Sequence, residues 1–288
     1  MKAAAFEYVR AETVAEAVQL LANLGEGTRL IAGGQSLIPA LNLRLSAPTH
    51  LIDIGGIAEL RGIALTATGI RIGACTRHAD LLRSEAIAQR TPLITRAAAH
   101  IANPAIRNRG TIGGSLAHAD PASELPACVV TLEATITATG PSGERRIAAT
   151  EFFTGLYATA LGPDEILTAI DIPARPAIEK SHFGELARRR GDYALIGLAC
   201  VAQLNGRVFQ DIRPVYFGVG DRPVMANEVR AHILGASSTP AAPVLRGALA
   251  KDLAAQDDLQ VSAGTRLHLA SVLMRRCIAS LTGREKAA

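Results

Sequence analysis

Apolar residues recur at Val14, Ala17, Val18, Leu21 and Leu24. Steps of three and four predict one helix with a single apolar stripe. Thr13-Val14-Ala15-Glu16 reads as a capping box, in which hydroxyl and carboxylate satisfy each other's orphan amides. Gly25 ends the helix. Leu30-Ile31 is a short strand running into Gly33-Gly34. A second helix follows, with Leu37, Leu41 and Leu45 on one face. Residues 51–54 form a strand, and 62–66 and 69–74 a hairpin turning at Thr68-Gly69.

The segment 77–102 has a helical pattern interrupted at Pro92. Asn103-Pro104 stops it, because the residue before a proline disfavours the α region. Residues 133–139 alternate like a strand, Gly140-Pro141-Ser142-Gly143 turns, and 145–148 returns. Another strand over 165–172 is closed by Pro173. The stretch 174–178, beside Pro173 and containing Pro176, reads as a linker. Beyond it, 181–187 and 195–204 are strands. Asn205-Gly206 is a hairpin turn, since both residues tolerate positive φ. A third strand spans 212–219, and the pattern then turns helical, ending in Ala263–Leu281. The expected class is α+β. A first portion spans 1–175. A C-terminal portion, 179–288, is a three-stranded antiparallel sheet covered by helices.

Composition narrows the functions. At 288 residues, 49% hydrophobic and 19% charged, the chain is neither disordered nor short of core. Thirty Lys+Arg against 26 Asp+Glu leave +4, too small an excess for a nucleic-acid surface. Aromatics at 3% and no Trp argue against base-stacking platforms. Neither a signal-peptide stretch nor a run long enough for a membrane span occurs, so a cytoplasmic protein is expected. Cys75, Cys128, Cys200 and Cys277 lie at least 53 residues apart, which leaves no CxxC and no sequence-adjacent zinc or iron–sulfur set. They read as small buried hydrophobes.

The chemical signal is a pair of loops, Ala32-Gly33-Gly34-Gln35-Ser36 and Thr111-Ile112-Gly113-Gly114-Ser115. Adjacent glycines remove two Cβ atoms and let an anion approach the backbone. Successive amides there can converge into a nest, and two nests suit the pyrophosphate of a dinucleotide. Simple turns are the competing reading. Neither loop fits GxGxxG or GxxxxGK[ST], so Rossmann and P-loop sites are not supported.

His118-Ala119-Asp120-Pro121-Ala122-Ser123-Glu124 follows the second loop. Proline suits a first helical turn, making Asp120 an N-cap with Glu124 one turn on. Contact of a carboxylate with a dinucleotide ribose or adenine edge is the second reading, and a metal site the third. No GxSxG elbow marks a hydrolase. Arg188-Arg189-Arg190-Gly191-Asp192-Tyr193 is the densest charge run and reads as a solvated strand end. Strand alternation would send Arg189 to the face opposite its neighbours. Tyr193 suits stacking on a flat ring, or plain core.

Together, both glycine loops, Asp120-Pro121, the 189–194 segment and Arg266-Leu267-His268-Leu269 resemble the FAD-binding medium subunit of molybdenum hydroxylases. The likeness spans nearly the whole chain. It is nearest to the aerobic carbon monoxide dehydrogenase type and to hydroxylases of N-heterocycles such as nicotine or caffeine. The resemblance implies a two-part, PCMH-type FAD-binding domain, with subdomains of about 1–55 and 56–175, and a small C-terminal domain. Both glycine loops, with Leu37, would hold the FAD pyrophosphate: Ala32, Gly33, Gly34, Gln35 and Ser36 in one, Thr111, Gly113, Gly114 and Ser115 in the other. Asp120 and Glu124 would face the cofactor, Glu124 at the adenosine part. Leu167, Asp192 and Tyr193 would lie near the isoalloxazine ring, and Asn103 and Ile106 would line the same cleft. Departures from the family pattern are Ser115 for a common Asn, Gln35 where His or Asn also occurs, and Glu for Asp at 124.

The implied role is electron relay, with no catalytic residue in this chain. A large subunit carrying a molybdenum–pterin cofactor would hydroxylate the substrate. A small subunit with two [2Fe-2S] clusters would pass electrons singly to the FAD here, and an external acceptor would take them in pairs. The assembly expected is a dimer of heterotrimers. Two alternatives are a stand-alone flavin oxidoreductase and a non-catalytic nucleotide-binding assembly module.

Overall fold

A computed structural model describes residues 2–284. The first helix runs Val14–Leu24, with Thr13 Oγ1 accepting from the Glu16 amide. The Glu16 carboxylate reaches the amide of Glu12, one residue before the expected partner. This helix crosses between parallel strands in a three-stranded sheet ordered Glu7–Arg10, His50–Asp53, Thr28–Ile31. Ala17, Val18 and Leu21 are buried against Ile52 and Ile54. Helix Leu37–Asn42 buries Leu41, whereas Leu45 falls beyond its end and is 79% exposed.

A five-stranded antiparallel sheet follows, ordered Ile63–Thr66, Gly69–Gly73, Ile166–Pro173, Thr135–Gly140 and Gly143–Ala148. Over 77–102 the chain forms three short helices, His78–Arg83, Glu85–Arg90 and Pro92–Ala98, where one interrupted helix was expected. Ser84 provides the extra break: it closes one helix and caps the next, accepting from the Ile87 amide. Asn103 stops the helical stretch and also opens a new turn, Pro104–Arg107, with its Oδ1 accepting from Ile106 N.

The third sheet holds the expected strands Lys180–Leu186, Ile196–Asn205 and Val208–Phe217. The last starts directly after the Asn205-Gly206 turn, and a two-residue strand, Val224–Met225, joins its edge. Residues 196–202 are buried without interruption. The reason is that both faces are covered, which gives a continuous apolar run in place of alternation. Phe183, Ala199, Val201, Val215 and Phe217 face the core that holds helices Pro92–Ala98 and Glu124–Thr131. Leu198, Cys200, Ala202, Ile212 and Tyr216 face a second core with helix Ala263–Leu281. All four cysteines are buried thiols, as their spacing led us to expect.

Candidate functional site

The two glycine loops meet. A Cβ on Gly33 would lie 2.8 Å from the Gly110 Cα and would overlap the Arg109 carbonyl. Glycine is therefore the residue that lets the first loop sit against the start of the second. Gly34 takes φ +71°, and the Gln35 amide group donates to the Gly33 carbonyl at 3.0 Å. The chain turns so tightly that Ile38 N is the first amide with an intrachain acceptor, Gly34 O at 3.0 Å. Among the described residues, the amides of Gly33, Gly34, Gln35, Ser36 and Leu37 find no protein acceptor. A run of donors left open is what an anion-binding loop needs.

The second loop differs from the expected second nest. Thr111 caps helix Ile112–His118, its Oγ1 accepting from Gly114 N at 3.2 Å. Ile112 N donates to Thr76 O, Gly113 N to Ala74 O and Ser115 N to Thr111 O. Four of its amides are thus already engaged. Gly113 is needed for packing: its Cβ would fall 2.5 Å from the Ala74 Cβ. Gly114 is exposed and Ser115 half-buried, so these two present the loop's open side. Behind the junction, His78 lies against Gly110, and burial above all pushes its imidazole down to about 4, which keeps it neutral.

The acidic segment folds differently from the expected cap. Asp120 is not an N-cap: its Oδ1 accepts from Ala122 N at 2.9 Å, a turn that precedes the helix. Ser123 takes the cap position of helix Glu124–Thr131, and Glu124 is its first residue. Pro121 stays outside the helix, and its carbonyl accepts from Gly218 N at 2.8 Å. Arg188, Arg189 and Arg190 lie beyond the strand that ends at Leu186, so strand alternation does not sort them.

Tyr193 is 65% exposed, and the Asp120 and Glu124 charges act on it. Tyr157, which sequence reasoning missed, stands beside it. Its ring is 5.1 Å from His118, and after burial the Asp120 charge contributes most to raising its hydroxyl. Tyr157 sits at φ +52° in the turn between Phe153–Gly155 and Ala158–Thr159, and no motif marks it. The Cβ position of Gly191 is 2.8 Å from the Ala102 carbonyl, which places the tyrosine turn beside the residue that precedes Asn103. One arc therefore runs from Gly33 through Gly110, Ser115 and Asp120 to Tyr193. Leu167 is buried on the central strand Ile166–Pro173 beside a bulge, next to Thr168, whose carbonyl accepts from Ala74 N. A cavity of about 510 Å³ opens at the linker instead, lined by Arg90, Arg175 and Glu179, and neither loop reaches it.

Glu185, also missed, belongs to the acidic end of the arc. Its Oε2 is buried and finds no hydrogen-bond partner among the described residues, and burial, then the Glu124 charge, pushes it up to about 8. Burial likewise raises Glu124 to about 7, with Asp120 adding to it. An acid whose folded-state pKa is raised keeps its proton where the unfolded chain has lost it, so stability falls as pH climbs between the two values. Glu185→Gln is accordingly expected to melt a few degrees above wild type at about pH 8.5, the gap closing near about pH 4. Calorimetry across that range checks it.

Residues 4–175 match the FAD binding domain in molybdopterin dehydrogenase, and residues 181–281 match the CO dehydrogenase flavoprotein C-terminal domain. The chain belongs to the FAD-binding medium subunits of molybdenum hydroxylases. It is 37% identical to the carbon monoxide dehydrogenase medium chain of Afipia carboxidovorans, covering 98% of both chains. To the nicotine 6-hydroxylase medium subunit of Paenarthrobacter nicotinovorans it is 36% identical, over 96% of this chain and 98% of the relative. The carbon monoxide dehydrogenase structure from Hydrogenophaga pseudoflava superimposes with a TM-score of 0.93 at 36% identity, over 99% of this chain and 100% of that one. Quinoline 2-oxidoreductase from Pseudomonas putida 86 gives 0.92 at 34%, over 99% of each. The medium subunit is an oxidoreductase component with an FAD-binding domain. Among its described residues no helix is long and apolar enough to cross a membrane, and no cluster of three or more His, Cys, Asp or Glu is placed to hold a metal.

Proposed function

We propose that this medium subunit relays electrons in a cytoplasmic heterotrimer, doubled to a heterohexamer. The large subunit would carry the molybdenum–pterin cofactor and the small one the [2Fe-2S] clusters. FAD, when bound, supplies the junction between one-electron and two-electron transfer. The observation that carries the reading is the run of open amides from Gly33 to Leu37, set against the second loop. A diphosphate has the charge and size to use those donors without a lysine, and no lysine stands in either loop.

The chain's own residues then divide the work. Ala32, Gly33, Gly34, Gln35, Ser36 and Leu37 would hold the diphosphate through the backbone. Thr111, Gly113, Gly114 and Ser115 would form the opposing wall, made rigid by the bonds to Ala74 and Thr76. Asp120 and Glu124 would face the cofactor, Glu124 at its adenosine part. Asp192 and Tyr193 would stand at the ring, with Asn103 and Ile106 beside them and Leu167 supporting from the sheet. We place the division between the FAD-binding and C-terminal domains at 174–178.

Tyr193→Ala should shift the visible absorption of the bound flavin while leaving the far-ultraviolet dichroism unchanged. An unaltered flavin spectrum would place the aromatic ring elsewhere. The function itself is tested on the purified assembly. Stoichiometric FAD, molybdenum and iron are expected, with substrate reducing the flavin only when all three subunits are present. Flavin reduction by substrate in the isolated chain would favour a stand-alone oxidoreductase instead.

A further inference from the structure

The turn that bears Tyr193 has little packing of its own. Tyr193 is exposed, as are the arginines before it, so a turn that is to present this ring to a bound flavin has to be held from outside. Three ties hold it. Leu195 N donates to Leu186 O at 2.8 Å, closing the neck. Gly191 rests on the Ala102 carbonyl. The third tie comes from the far side of the C-terminal portion.

Arg266, in the first turn of Ala263–Leu281, is a buried arginine, with a side chain 7% exposed. Its guanidinium spreads over three acceptors. Nε donates to Leu195 O at 3.2 Å, Nη1 to Gln256 O at 2.5 Å and Nη2 to Asp258 Oδ2 at 2.6 Å. Asp258 is itself fixed, its Oδ1 accepting from Gln260 N and Val261 N. The same loop holds the other end of the turn, because Arg188 Nη2 donates to Gln260 O at 3.3 Å. Residues 256–262 therefore grip the tyrosine turn at Arg188 and, through Arg266, at Leu195. A planar, always-charged fork suits this task, whereas a lysine ammonium cannot span the same acceptors in one plane.

We propose that Arg266 is a positioning residue for the flavin: it touches no cofactor, but sets the Tyr193 turn against the cleft through the Leu195 carbonyl. The inference rests on the reading that Tyr193 faces the ring. It makes the 256–262 loop part of the cofactor site at a distance, and it gives a physical role to the Arg266-Leu267-His268-Leu269 motif.

The test uses the assembled holoenzyme with the variants Arg266→Lys, Arg266→Gln, Asp258→Asn and Tyr193→Ala. Arg230→Gln is the control, since Arg230 makes a comparable fork to Ile212 O and Asp211 in the same domain. The readouts are FAD affinity, the visible dichroism per bound flavin, and melting temperature. Both Arg266 variants should lower FAD affinity about tenfold, the scale of one lost charge-assisted hydrogen bond. They should also reproduce the Tyr193→Ala dichroism. Arg230→Gln should lower melting alone. Asp258 is half-exposed, so Asp258→Asn will fold even if the Arg266 variants do not, and it should move the dichroism in the same direction by less. A Tyr193→Ala effect with unchanged dichroism in Asp258→Asn and any folded Arg266 variant overturns the inference and leaves the site reading standing. No change in Tyr193→Ala itself overturns both.

Discussion

Gly33→Val yields an assembly purified without its flavin. The added Cβ has no room, because the Arg109 carbonyl and the Gly110 Cα already occupy the space. Backbone cannot rotate away as a side chain does, so the two loops must part. Parting them turns the open amides from Gly33 to Leu37 away from a common point. Losing even one or two hydrogen bonds to a charged diphosphate costs about 3 kcal/mol, on the order of a hundredfold in affinity. The FAD-to-protein ratio after gel filtration measures it. Full flavin content in a folded Gly33→Val assembly would remove the first loop from the cofactor site.

Gly113→Val should fail in a different way. Gly113 is held by its bond to Ala74 O, and its Cβ would fall within 2.8 Å of the Ala74 Cα. Valine there forces helix Ile112–His118 off strand Gly69–Gly73 and its continuation, breaking the Ala74 and Thr76 bonds as well. Overpacking combined with lost backbone bonds costs roughly 3 kcal/mol or more. The loss should appear as a lower urea midpoint whether or not FAD is added. A variant that keeps the wild-type midpoint yet releases flavin would return Gly113 to the role of ligand contact.

The contrast between these glycines shows where sequence reading stops. Both loops have the same grammar, Gly-Gly followed by a polar residue, and both read as amide nests. Part of the difference lies outside the loop: Ala74 and Thr76, almost 40 residues away, take the amides of Gly113 and Ile112, while Thr111 takes those of Gly114 and Ser115. Local pattern carries no trace of such a partner. By contrast, the helices Val14–Leu24 and Ala263–Leu281 and the hairpin at Asn205-Gly206 were legible, because periodicity, caps and turn residues are local. Asp120 misled for a related reason. Its Oδ1 accepts from Ala122 N and closes a turn ahead of the helix, so the helix starts at Glu124, three residues beyond Pro121. Tyr157 and Glu185 carry no motif at all. Their importance arises only when a two-residue turn and a strand from a distant part of the chain are folded beside Asp120 and Glu124.

The third sheet is apolar on both sides, and Phe183 and Phe217, stacked 5.7 Å apart, belong to the core shared with the helices of the first portion. A hybrid spliced at 174–178 from two relatives would bring together halves whose touching surfaces were shaped in different lineages. Shuffling at that junction therefore demands matched replacement of the buried residues on both sides, and the two halves are inherited best as a single unit.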